Sequence, residues 1–252
     1  MAYQIKDFQH ERDSELASKI LTHTAANKIL NKLQSTGLEE VYTYLYESSC
    51  PQLTAKTSPK LFENLDYVCE QFGLESRPKL FVTRNYDERV FIRGVSSPFI
   101  IFSSEYLRKL DDETLRGILA GQVAGIRCQH HTIFYITWGL EFASAFIPGG
   151  SLVVAPFIND WKRNRWFTYD RAFALVTNNR ALSLRQVLIN TLPANILDKM
   201  NSGRRCDIFI AQANRFDGTN SGIQKAVSMF SEKDWLPERY TELKNFFDAR
   251  GL

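Results

Sequence analysis

Paired cysteines are missing from this 252-residue chain: its four, Cys50, Cys69, Cys128 and Cys206, lie far apart and form no C-x-x-C pair. That usage excludes a disulfide-stapled mini-protein and reads as reduced thiols. Repeats and low-complexity segments are also missing, and 13 Gly and 8 Pro are too few for a collagen-like or disordered chain. Charge of one sign is lacking as well. With 31 Lys+Arg against 28 Asp+Glu the net charge is +3, too mild to argue for nucleic acid, which calls for clustered Lys and Arg. The densest basic run, Lys162-Arg163-Asn164-Arg165, is read as a solvated helix face. The first residues contain no apolar core of a signal peptide, so a cytoplasmic protein is expected. No G-x-S-x-G, P-loop or G-x-G-x-x-G motif occurs.

What is present is mostly helical periodicity. From Glu11 to Tyr46 the pattern is helical with a break at Thr36-Gly37, leaving one apolar stripe at Leu16, Ile20, Ala25, Ile29, Leu30 and Leu33. A second follows at Leu38, Val41, Tyr42 and Leu45. Ser58-Pro59 opens another helix, which Gly73 ends. Three short apolar runs then read as strands: residues 79–83, 90–94 and 99–102. Asp111-Asp112-Glu113 starts a longer helix, acidic where the helix dipole favours it. The expected fold class is therefore α+β and mainly helical, with a small antiparallel sheet of about three strands. From Asn164 to Leu252 several helices are expected, joined by loops such as 201–203 and 217–222.

Residues 132–158 are the most apolar stretch, yet Glu141 and Pro148-Gly149-Gly150 interrupt it, and a single transmembrane span needs ~20 uninterrupted apolar residues. A buried helical hairpin is the preferred reading, with a hairpin dipping into a membrane surface as the alternative.

Three segments follow one another in this order: Arg77-Pro-Lys-Leu-Phe-Val, the stretch from Val90 to Leu107, and Leu110-Asp-Asp-Glu-Thr-Leu-Arg-Gly-Ile-Leu-Ala. Together they resemble the catalytic core of the HtpX and CAAX-prenyl-protease family of zinc metallopeptidases. Further on, residues 147–156 resemble the hairpin that follows the family's zinc motif, and Tyr169-Asp170-Arg171-Ala172 resembles its A-D-R-A motif. Trp235-Leu-Pro-Glu-Arg-Tyr-Thr-Glu-Leu resembles its C-terminal segment. The similarity spans roughly residues 55–247. It implies a zincin-like core over 56–252, with 1–55 as an N-terminal helical segment packed into the same compact unit.

That resemblance also shows what the chain has lost. An H-E-x-x-H helix binds Zn²⁺ through two histidines on one face and activates water through the glutamate. The corresponding positions here are Gly121, Gln122 and Gly125, and the position of the third ligand, four before Asp170, is Trp166. Glycine offers no donor atom, and a glutamine amide cannot take up a proton near neutral pH. The resemblance thus implies a pseudoenzyme without zinc or another cofactor. One physical account has Trp166 filling the emptied metal site, with Gly121 and Gly125 making room for it. His130 and His131 are read as helix-end residues near a C-terminal dipole, although with Cys128 they would be the first candidates for a rebuilt metal site.

The retained residues Asp170, Arg171, Arg239 and Glu242 are read as structural. The segment Arg89, Val90, Phe91, Ile92 and Arg93 occupies the place of the family's substrate-pairing edge strand and is the candidate partner-binding element. The expected function is that of an inactive homologue binding protein, as a subunit or regulator of a larger assembly or of an active paralogue. The alternatives are a membrane-peripheral factor using residues 132–158 and a hydrolase with a rebuilt metal site.

Overall fold

The computed structural model describes residues 2–84, 89–189, 211 and 236–251. The chain opens with α1 (Ile5–Phe8), α2 (Glu11–Thr22), α3 (Thr24–Ser35) and α4 (Leu38–Ser49). A two-residue strand, β1 (Gln52–Leu53), precedes α5 (Pro59–Gln71). Strands β2 (Lys79–Thr83), β3 (Val90–Arg93) and β4 (Phe99–Ser103) follow. The chain then runs through α6 (Ser104–Arg108), α7 (Asp112–Arg127), α8 (His130–Ser144), α9 (Gly150–Thr177) and α10 (Arg180–Ile189). Further along comes α11 (Leu236–Arg250). The expected loops at 201–203 and 217–222, and Cys206, lie outside the described residues.

Helices dominate, as expected. The sheet corrects the expectation of three antiparallel strands: it has four, in the order β1-β2-β4-β3. Strands β2 and β4 run parallel, with Leu80 opposite Ile100, while β3 pairs antiparallel with β4 and β1 antiparallel with β2. All five residues of β4 are buried, which is why its sequence shows a continuous apolar run and no alternation. Leu80, Ile100 and Phe102 join the main core with α5 and α7. Phe81, Phe99 and Ile101 pack on the other face against Cys50 and Tyr46.

The long N-terminal helical pattern is broken once more than expected, at His23, whose extended backbone separates α2 from α3. His10 and His23 each cap the helix that follows: their Nδ1 atoms accept from the Arg12 and Ala25 amides. The second apolar stripe is also corrected, since Leu38, Val41 and Leu45 on α4 are exposed. Residues 1–55 otherwise share the cores of the rest of the chain. Phe8 lies in the main core, and Leu16 and Ile20 pack with Ile133, Ile136 and the fully buried Trp161.

Helix α7 is the centre of the molecule. The Asp111 carboxylate accepts from the Thr114 amide at 2.7 Å and caps its first turn, and every residue from Gly117 to Ile126 is buried. Such all-round burial leaves no solvent face. Its main partner is α9, and the two approach closely along Gly117, Gly121 and Gly125, one turn apart on α7. A Cβ on Gly117 would lie 2.4 Å from the Phe173 ring, and one on Gly125 would lie 2.5 Å from the Tyr169 ring.

Helices α8 and α9 form the expected hairpin, but only its base is buried. Ile133, Ile136 and Trp161 are in the core, whereas Phe142, Phe146, Ile147, Leu152 and Val153 at the tip are exposed. Among the described residues no helix is long and apolar enough to cross a membrane.

Candidate functional site

A cavity of about 260 Å³ opens where α7, α9 and β3 converge. Its floor is α7, with Gly121 and Gln122. One wall is Arg89 and strand β3, and the other is α9 with Arg165, Trp166 and Tyr169. His130, His131 and Phe134 of α8 close one end, and Tyr106, Gln186 and Arg239 contribute elsewhere. Gly121, Gln122 and Trp166, singled out as the lost zinc-motif positions, therefore share one cavity with all five residues of the proposed edge segment. Gly125 does not line it, because Tyr169 covers it.

The occupant of the space over the glycines is a correction. It is Tyr169, not Trp166: the tyrosine ring lies against both Gly121 and Gly125, and a Cβ on Gly125 would meet its hydroxyl at 2.6 Å. The helical period explains the difference. Tyr169 and Phe173 are four residues apart on α9 and meet Gly125 and Gly117, eight apart on α7. Trp166, one turn earlier, stands on the cavity wall beside Tyr169, with ring centroids 5.3 Å apart. Burial pushes the Tyr169 hydroxyl up to about 12, so it stays protonated at neutral pH.

The zinc of the metallopeptidases that the sequence resembles does not fit these residues. At the two glycine positions the facing space holds the Tyr169 ring, and the Gln122 side chain offers only a neutral amide. Among the described residues no three His, Cys, Asp or Glu side chains gather as a metal site.

His130 and His131 are corrected too. They are the first residues of α8 and both are buried. His130 Nε2 is 2.9 Å from Asp13 Oδ2, which also accepts from the Thr168 hydroxyl at 2.6 Å. Burial raises the Asp13 pKa, but the His130 charge and these hydrogen bonds outweigh it and hold the carboxyl below its usual range. His131 is pushed down to about 4, first by burial and then by His130, and is neutral at neutral pH. Cys128 is buried, and its thiol is pushed far up by that burial.

Asp170 and Arg239 form a buried two-point pair, with Arg239 Nε and Nη2 donating to the carboxylate at 2.8 and 2.7 Å. Arg171 pairs instead with Glu11, at 3.1 Å. Glu242 lies 3.4 Å from His10. The basic run at 162–165 is not a solvated face. Asn164 is buried, Lys162 pairs with Glu141, and Arg165 lines the cavity. Arg165 and Tyr169 are the wall residues that sequence reasoning missed, although Tyr169 directly precedes the recognised Asp170.

Strand β3 is an edge of the sheet among the described residues. The Ser103 amide donates to the Arg89 carbonyl at 2.9 Å, which places the hydrogen-bonded antiparallel pairs at Arg89, Phe91 and Arg93. By the same alternation the N–H and C=O of Val90 and Ile92 point off the sheet. One of these is occupied: Arg93 Nη1 donates to the Ile92 carbonyl at 2.9 Å. The arrangement supplies guanidinium, amide and edge-strand donors around a half-open cavity. Compared with known proteins, the chain matches no family model, and no curated protein or solved structure is significantly similar to it.

Proposed function

We propose that this chain is a non-catalytic derivative of a metallopeptidase that binds an extended segment of a protein partner in the cavity beside β3. The observation that carries this reading is the convergence of Gly121, Gln122 and Trp166 with the outward-facing backbone of Val90 and Ile92 around one cavity. A strand laid along β3 would gain main-chain hydrogen bonds, and its alternate side chains would enter the cavity. Gln122 would donate or accept hydrogen bonds there without activating water. The test is an array of extended peptides probed with the full chain, with and without added Zn²⁺. Binding without cleavage, abolished by Val90→Pro, supports the reading; Zn²⁺-dependent cleavage, or binding indifferent to Val90→Pro, sinks it. Proline suits this test because it removes an edge N–H outside the ladder.

A second reading, peripheral membrane contact, draws on the α8–α9 tip. Phe146 and Val153 are 75% and 77% exposed, and no ionisable side chain occurs from Phe142 to Asn159. In the turn the amides of Ala145, Phe146, Ile147, Gly150 and Leu152 all donate to nearby carbonyls, and Pro148 has no N–H. Most of the turn's amides are thus paired internally, and such pairing suits an apolar medium. Flotation with phosphatidylglycerol-containing vesicles, lost on Phe146→Asp, is the expected result; a wild-type chain that stays at the bottom of the gradient removes the reading.

A further inference from the structure

We infer that the Arg93 side chain is a displaceable cap on the edge of β3, which an incoming segment pushes aside in order to pair along the whole strand. The inference rests on the peptide-binding reading above and adds how that site is regulated. Arg93 Nη1 donates to the Ile92 carbonyl at 2.9 Å. An added strand of either direction would use that same carbonyl as an acceptor. The guanidinium therefore stands in the place of a partner's amide. Two ring faces hold it there, since its carbon lies 4.3 Å from the centroids of both Phe91 and Phe134.

The backbone beneath the cap is fixed, so the side chain is the part able to move. Strand β3 is laddered to the wholly buried β4. In the turn that follows, the Gly94 amide donates to the Tyr135 hydroxyl at 3.3 Å. Glu39 accepts from the Val95 and Ser96 amides at 2.8 and 2.5 Å. The Phe91 ring is braced from α4 by Tyr46, with centroids 6.2 Å apart. Arg93, by contrast, carries its guanidinium on a flexible stem at the wall of the cavity, which leaves it room to swing. Charged side chains commonly guard sheet edges against indiscriminate pairing. Here the guard covers the Ile92 carbonyl and leaves the outward N–H and C=O of Val90 open. A segment can thus dock at Val90 first and then compete with Arg93 for Ile92.

The experiment probes the array of extended peptides with the full chain as wild type and as two separate variants. Arg93→Met keeps the stem and loses the donors, and Phe134→Leu removes one ring of the clamp; two variants guard against one that fails to fold. Each variant is expected to bind the same peptides about tenfold tighter, because a charge-assisted hydrogen bond no longer has to be broken or is held less firmly. Adding Val90→Pro to either variant should abolish the gain. Unchanged or weaker binding by both variants, with Val90→Pro still abolishing binding, overturns the cap and leaves peptide binding standing. A gain that survives Val90→Pro locates the binding away from β3 and overturns both the cap and the reading it rests on. An array silent for all the proteins does the same.

Discussion

The crossing of α7 and α9 and the tip of the α8–α9 hairpin draw on similar material, small and apolar residues at helical spacing, and end in opposite states. At the crossing, Gly117, Gly121 and Gly125 let the helices approach until Phe173 and Tyr169 occupy the space that side chains on α7 would take. At the tip, Phe142, Phe146, Ile147, Leu152 and Val153 remain in solvent, with Phe142 and Phe146 touching each other at 5.1 Å between ring centroids. An apolar side chain gains by leaving water wherever it is. What it meets depends on which element lies opposite, and at the tip no described element does.

The sharpest way to break this contrast is to empty the crossing. Tyr169→Ala should lower unfolding stability by about 4 kcal/mol, in the range of large aromatic truncations in a core. Trp166→Ala, on the half-open wall, should cost clearly less. Urea unfolding of the two variants measures this, and an equal or reversed ranking would return the plug to Trp166.

The next largest effect is a pH dependence at the cavity's end. His131 is pushed down to about 4 by burial and by His130, from an ordinary value of 6.5. A depressed folded-state pKa gives stability that is complete above the unfolded value and lost as pH falls through the folded one. The wild type should therefore lose about 3 kcal/mol relative to His131→Gln between pH 6.5 and 4. Denaturation of both proteins across that window checks the sign, and parallel curves would show that His131 is not held neutral by the fold.

A smaller effect separates the glycines. Gly117→Ala should destabilise by about 2 kcal/mol because its Cβ would strike the Phe173 ring. Gly121→Ala meets Tyr169 at 3.4 Å, an ordinary contact, and should be neutral or gain up to about 1 kcal/mol from helix propensity. Thermal melts of the pair suffice. The smallest effect is expected at the tip, where Phe146→Asp with Ile147→Asp should leave stability within about 0.5 kcal/mol of wild type. A large loss there would mean that the tip packs in a way its exposure does not indicate.

Much of the architecture was legible because it is local. Pro59 at the first turn of α5, the acidic cap of α7 and the three apolar runs of β2, β3 and β4 each depend on residues a few positions apart. The sheet's parallel pairing was not legible. Three successive short strands suggest a meander, and only packing shows that β4 lies between β2 and β3. The short β1 carries too few residues to signal itself. At the site, Gly121, Gln122, Trp166 and residues 89–93 could be grouped through the family resemblance. Tyr169 and Arg165 could not, because which α9 side chain fills the crossing depends on how the two helices are rotated about each other.

The amino-acid sequence by itself determined the helix-rich α+β plan, the positions of β2, β3 and β4, and the absence of ligating atoms at residues 121, 125 and 166, since each follows from side-chain chemistry and short-range periodicity. Only the tertiary structure decided that Tyr169 closes the glycine stripe, that Arg165 turns from an expected solvent face into a cavity wall, and that the hairpin tip stays uncovered. Those outcomes depend on contacts between residues far apart in the chain, where steric fit and burial select among arrangements that local propensity leaves equal.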